Sequence, residues 1–392
     1  MSSGTASCIV DERTGTGDMD VRAQMNVLRG RIDGIDERLL PLFRERMDVS
    51  LQMAEVKLRE NIPIQDVARE RVVVDRAVSL AGDGLRKEAT LLMRTLLSLS
   101  RERQRRRMFQ GGMSPLPPAR EPRRQNITCA FRGLPGEWSE QALLKLFLDV
   151  PRLNVEFPED VFLAVKEKRA DYGVVAIENS RTGAIGETYD LLGKYGSFIV
   201  GRTWIDIRHC LLAPVGTTLS DVREVFSHPE GFRQCSRFLN GRGWDLTACR
   251  NTAFAAEAVA KANDGRTAAI GSRRAAEVNG LAILAPDVMD SADNRTSFVV
   301  IASGPEYDEK SDLISVTFST AHRSGALCET LMPFMAQGIN LLRIESRPAT
   351  PDRYRFFAEL AGNILDANTL ATLEQAASSC EYFEVIGCYS NT

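Results

Sequence analysis

The sequence is short of histidine, with three in 392 residues, and its eight cysteines include no C-x-x-C pair. Zinc sites draw on several such ligands at close spacing, so neither a metal nor another cofactor is expected. Cys8, Cys129, Cys210, Cys235, Cys249, Cys328, Cys380 and Cys388 are scattered singly, which reads as thiols in a reducing compartment rather than a disulfide scaffold. Long apolar runs are missing too. Nothing approaches the ~20 residues that cross a bilayer. The first twenty residues lack the basic start and apolar core of a signal peptide, so a cytoplasmic location is expected. Charge of one sign is also lacking: 49 basic against 52 acidic residues leave a net charge of -3. Nucleic acid and membrane surfaces are therefore not expected partners, and any anion must be held by local arginine clusters.

What is present is the balance of a globular protein, 44% apolar and 26% charged. At roughly 100–200 residues per domain the length predicts two to four domains. Residues 1–20 read as a disordered tail. Residues 21–109 carry helical periodicity. Residues 110–126 are rich in Gly, Pro and Arg and read as a linker. Over 127–303, short β-branched runs such as Ile127–Phe131, Tyr172–Ile177 and Ala268–Gly271 alternate with helical stretches, an α/β pattern. Beyond a break near Gly304, residues 312–392 read βαββαβ, the ferredoxin-like α+β order, with Gly338 closing the first helix.

In the helical segment, helix 1 is expected from Val21 to Arg59, about 58 Å long, and needs partners along its length. Pro41 should interrupt it, at a cost on the order of 3 kcal/mol unless a kink absorbs the loss. Arg46 and Lys57 lie three turns apart on one face. Arg29 is rotated about 100° from Arg46 and could serve a different site, for instance in a second subunit. Asp66 begins helix 2, with Arg69 and Glu70 on one face. Ser100 and Gln104 share a face of helix 3.

Taken singly, these are charges on a bundle surface. Together, Arg29, Arg46, Lys57, Asp66-x-x-Arg69-Glu70 and Ser100-x-x-x-Gln104, with the opening Leu-Arg-x-x-Ile-Asp-x-Ile-Asp, resemble the all-helical chorismate mutases over about 85 residues. The reaction implied is a pericyclic rearrangement of a dicarboxylate, with no nucleophile and no proton transfer. It needs a folded conformer held in place and charge stabilised on the ether oxygen. The resemblance implies that Arg29 from a second subunit grips the carboxylates with Arg46 and Ser100. Lys57 and Gln104 then donate to the ether oxygen. Glu70 and the Asp66 backbone hold the ring hydroxyl, with Arg69 beside them. It also implies an interlocked helical homodimer, or a higher oligomer. The basic run Arg101–Arg107 shares the helix of Gln104 and reads as a solvated face or anion funnel.

Residues 127–303 resemble prephenate dehydratases. The segments are Glu178-Asn179-Ser180-x-x-Gly183, Ser227-His228-Pro229 with Gln234-Cys235, Asn251-Thr252-Ala253, and His209-Cys210. Two α/β lobes with the site in their cleft are implied, as is binding of prephenate by Glu178, Asn179, Ser180, Ser227, Gln234 and Thr252. The family's acid is the threonine of a Thr-Arg-Phe motif. Here Thr296 is followed by Ser297, and Arg295 precedes it. In the loop Gly133-Leu-Pro-Gly-Glu137-Trp-Ser139, Glu137 takes the place of a Thr or Ser. A like charge at about 4 Å would repel a dianion by roughly 4 kcal/mol at an effective dielectric near 20. So Glu137 turns away, or is protonated and able to donate a proton, or the site has changed. His209 and His228 are expected to be structural.

The C-terminal segment resembles ACT domains. Gly325-Ala326-Leu327 and Glu345-Ser346-Arg347 match the two segments that bind phenylalanine there, the first at a helix start suited to a carboxylate. The expectation is a bifunctional mutase–dehydratase acting on chorismate and prephenate under allosteric control by phenylalanine. The alternative is a mutase whose dehydratase-like segment is inactive, regulatory, or retuned to prephenate decarboxylation.

Overall fold

The computed structural model describes residues 16–108, 118–120, 122, 126–350 and 353–390. The expected tail up to residue 15, Cys8 included, and most of the expected linker lie outside the described residues. The chain forms two compact units, Met1–Gly111 and Gly112–Thr392. No helix among the described residues is long and apolar enough to cross a membrane.

The first unit is three helices: α1 (Thr16–Arg59), α2 (Val67–Ala81) and α3 (Arg86–Met108). α1 starts five residues earlier than expected and is not interrupted, because the helix continues on both sides of Pro41. The ring removes one N–H without ending the run. The C-terminal half of α1 packs on α3, where Met47, Ser50, Ala54, Ser98, Ser100, Arg101 and Gln104 are buried. The other half is bare. Leu28, Ile32, Ile35, Leu39 and Leu42 are 50–63% exposed, an apolar stripe with no cover among the described residues.

The second unit opens with β1 (Cys129–Arg132), α4 (Trp138–Leu146), β2 (Arg152–Val155), α5 (Pro158–Lys166), β3 (Tyr172–Asn179), β4 (Gly183–Ala184), α6 (Gly186–Tyr195) and β5 (Phe198–Asp206). The chain then crosses to a second lobe. That lobe holds β6 (His209–Ala213), β7 (Glu224–Ser227), α7 (Pro229–Gln234), α8 (Ser236–Leu239), β8 (Asp245–Ala248), α9 (Thr252–Ala262), β9 (Thr267–Ser272), α10 (Arg273–Asn279) and β10 (Ala282–Ala285). β11 (Arg295–Ala302) returns to the first lobe and runs antiparallel between β3 and β5. Central strands β3, β9 and β11 are near-continuous buried runs, as expected of strands covered on both faces.

The C-terminal segment is β12 (Leu313–Ser319), α11 (Ala326–Ala336), β13 (Leu341–Thr350), β14 (Arg353–Ala361), α12 (Ala367–Ala377) and β15 (Tyr382–Tyr389). Its antiparallel order, β13-β14-β12-β15, continues into the first lobe through β5, giving β13-β14-β12-β15-β5-β11-β3-β1-β2. The second lobe has its own sheet, β10-β6-β9-β7-β8. So the segments expected at 127–303 and 312–392 share one sheet. At the junction Gly387 pairs with Ile199. A Cβ on Gly387 would lie 2.7 Å from the Ile199 carbonyl oxygen, so only glycine allows this approach.

Candidate active sites

In the helical unit, α1 and α3 bring four of the expected residues together. Arg46 donates to Ser100 Oγ (2.6 Å) and to the Leu96 carbonyl (3.1 Å). Lys57 Nζ donates to Gln104 Oε1 (3.3 Å) and to the Ile64 carbonyl. Glu70 comes in from α2 and pairs with buried Arg101. Ser50 escaped the sequence reading, and Arg101, expected on a solvated face or anion funnel, is buried instead. Ser50 accepts from Gln104 Nε2 (3.0 Å) and donates to the Ser100 carbonyl (3.3 Å). Arg101 neutralises Glu70. The spacing held a signal for both, since Ser50 is one turn beyond Arg46 and Arg101 one turn before Gln104. Asp66 caps α2, accepting from the Arg69 N–H (2.9 Å), and the Arg69 side chain is exposed. Arg29 stays apart. Seventeen residues of helix put it about 25 Å from Arg46, and among the described residues its side chain reaches only Asn26 (3.4 Å).

In the second unit, a cavity of about 270 Å³ lies in the cleft between the lobes. Asn179, at the end of β3, donates to Thr296 Oγ1 (2.9 Å) and Asn294 Oδ1 (2.8 Å). From the other lobe, Gln234 Oε1 accepts from Asn294 Nδ2 (2.9 Å) and faces His209 Nε2 (3.0 Å). Thr252 opens α9 beneath its Asn251 cap and lines the same space. Burial lowers the His209 pKa, favouring the neutral ring. Glu137 does not turn away. Its side chain lines the cleft with Thr296, and burial pushes its pKa up to about 7 against the pull of Arg132 and Arg250.

A family model for chorismate mutase type II matches residues 28–105, and one for prephenate dehydratase matches residues 129–306. The bifunctional chorismate mutase/prephenate dehydratase of Escherichia coli (strain K12) is 30% identical over 376 residues, spanning 92% of this chain and 95% of that one. The chain belongs to the bifunctional chorismate mutase/prephenate dehydratases. Arogenate dehydratase/prephenate dehydratase 2, chloroplastic, of Arabidopsis thaliana is 34% identical over 279 residues, 67% of this chain and 72% of its own. The solved prephenate dehydratase of Arthrobacter aurescens in complex with L-Phe is 26% identical. It covers 67% of this chain and 90% of its own, with a TM-score of 0.62.

Against that family's motifs, three expected cleft residues sit elsewhere. Glu178 alternates with Asn179 along β3, so its carboxylate points the other way and pairs with Arg343 and with Arg202 (3.5 Å). Ser227 is fully buried beneath Gly231 and donates to the Ile270 carbonyl (3.1 Å). Ser180 ties two loops, donating to the Asp293 carbonyl (2.9 Å) and accepting from the Arg295 N–H (3.0 Å). Ser297 also faces away from the cleft, and its hydroxyl accepts from Arg202 Nε (2.8 Å). Arg202 in turn reaches Glu359 on β14 (2.7 Å), and Arg343 on β13 lies 3.6 Å from the same carboxylate. A cluster of two arginines and two glutamates, its Arg202 and Glu359 buried, thus links the C-terminal segment to β5 and to β3, which bears Asn179, and touches β11 through Ser297.

Gly325, Ala326 and Leu327 line a second cavity of about 220 Å³ with His322 and Tyr354. Glu345, Ser346 and Arg347 are on β13 and do not line it. Arg347 instead forms a two-pronged pair with Asp190 (2.6 and 3.1 Å).

Proposed function

We propose that the helical unit converts chorismate to prephenate and that the cleft converts prephenate to phenylpyruvate, in phenylalanine biosynthesis. The observation that carries the reading is the packed set of Arg46–Ser100, Lys57–Gln104 and Glu70–Arg101 in one unit. Arg46 holds a carboxylate. Lys57 and Gln104 lie side by side, so both can donate to one ether oxygen as charge develops there. Glu70, paired with Arg101, accepts from the ring hydroxyl. Asp66 and Arg69 stand at the same end of α2.

Among the described residues, Arg101 at the site is engaged by Glu70, and Arg29 is too distant to hold the other carboxylate within one chain. The exposed stripe of α1 carries Arg29 and favours an interlocked homodimer in which Arg29 completes a second copy's site. In the cleft, Asn179, Gln234, Thr252 and Thr296 are the hydrogen-bonding groups for the prephenate dianion. The C-terminal segment reads as an ACT domain that takes phenylalanine at Gly325–Leu327. Glu345–Arg347 would come from a second copy, since one chain does not join the two segments. A reducing, cytoplasmic setting fits the buried free thiols Cys129, Cys210, Cys235 and Cys388.

Glu137 in the cleft favours one second reading, a site retuned to decarboxylation alone. Supplying chorismate to the pure protein and identifying products by mass decides between them. Phenylpyruvate is expected. Accumulating prephenate sinks the dehydratase reading. A product that has lost CO2 but kept the hydroxyl oxygen establishes the retuned site.

A further inference from the structure

The Glu137 carboxyl group is seated over Gly133, where any side chain would collide with it: a Cβ there would lie 2.3 Å from the carboxyl carbon. Its Oε1 is buried and has no hydrogen-bond partner among the described residues. Glu137 and Thr296 together line both the cleft cavity and another of about 230 Å³. The charged and titratable groups around the same space are Arg132 at the end of β1, Arg250 before α9, His209 on β6, His228 and Glu230 at α7, and Glu187 on α6. Arg132, the Leu134 backbone N–H and Arg250 favour its ionised form, and burial outweighs them.

We propose that Glu137 is the proton donor of the dehydratase step, with Thr296 holding the departing hydroxyl. The inference rests on the dehydratase reading above. Thr296 Oγ1 already accepts from Asn179, so its own proton is left to point at a ligand oxygen. A neutral alcohol is a far weaker acid than a carboxyl group. A hydroxyl leaving carbon needs a donor whose proton affinity matches neutral pH. In the step proposed, the bond from the ring to the carboxylate breaks and releases CO2. Its electron pair enters the ring, the carbon–oxygen bond to the hydroxyl breaks, and the Glu137 proton joins that oxygen as water leaves. Solvent then reprotonates Glu137. No other reactant is required. Protonation also removes the repulsion that a carboxylate would exert on a dianionic substrate.

The test is the pH profile of kcat for phenylpyruvate formation from prephenate by the full-length protein and two variants. In the wild type kcat should fall as pH rises through about 7. Glu137→Gln keeps the shape but has no acidic proton. It should lose that limb and drop kcat by about 10²- to 10⁴-fold, with the loss in kcat rather than KM. Glu137→Ser, which restores a hydroxyl, should lose the limb as well and guards against misfolding of the first variant. Wild-type kcat and an unchanged limb in Glu137→Gln would overturn the proposal. So would faster turnover in that variant, because the carboxylate would then be an ionised obstacle. If the wild type makes no phenylpyruvate, the dehydratase reading itself falls and this inference with it.

Discussion

Ser297 takes the place of an arginine in the Thr-Arg-Phe motif, yet the residue that meets it is an arginine. Arg202, on the neighbouring strand, donates to its fully buried hydroxyl. No spacing in the sequence points to that contact, because the partners are 95 residues apart and meet only through strand pairing. Restoring the family's residue should therefore harm this protein. Ser297→Arg would put two guanidinium groups together in a buried space, and we expect a loss of about 3–5 kcal/mol in urea unfolding. A second expectation concerns Glu137. Its folded pKa of about 7 lies above the ordinary value of 4.5. The unfolded chain thus loses its proton first, and stability drains away as pH rises from the unfolded pKa through the folded one. Above pH 7 the accumulated cost is on the order of 3 kcal/mol. Glu137→Gln should therefore be more stable than wild type in urea at alkaline pH and no more stable in mild acid. The sequence exposed the oddity of Glu137 but left three outcomes open, because loop geometry decides which way a side chain turns.

Helix α1 illustrates both the reach and the limit of pattern reading. Its length and the shared face of Arg46 and Lys57 follow from 3.6-residue periodicity. The expected break at Pro41 does not occur, since one missing hydrogen bond is outweighed by turns formed on either side. Alternation along β3 and β11 likewise separates Asn179 and Thr296, which face the cleft, from Glu178 and Ser297, which do not. A motif matched as a block hides this division. The bare stripe of α1 carries a prediction at this scale. Ile32→Asp sets a charge in the middle of the proposed subunit contact. It should shift the protein toward monomer in sedimentation equilibrium and cut chorismate turnover by at least tenfold. Prephenate turnover should change little. An unaltered dimer with full mutase activity would refute the interlocked arrangement.

At the scale of the molecule, composition suggested a helical segment followed by α/β segments, and the chain forms two compact units. The sheet that joins the C-terminal segment to the first lobe was not legible, because it rests on one close backbone approach rather than on a motif. The cluster of Arg202, Arg343, Glu178 and Glu359 crosses that join and touches the strands of Thr296 and Asn179. If phenylalanine acts through it, Arg343→Met should leave phenylalanine binding measurable by calorimetry while raising the phenylalanine concentration needed for inhibition about 5- to 150-fold. The same join has a bearing on truncation. Without β15, β5 would lose its partner at Ile199 and stand as an edge strand, and such an edge invites pairing with other chains. A shortened protein ending before residue 312 should consequently aggregate rather than survive as an unregulated enzyme. Feedback control would then be hard to shed by simple loss of the C-terminus, and release from it should arise by point substitution instead.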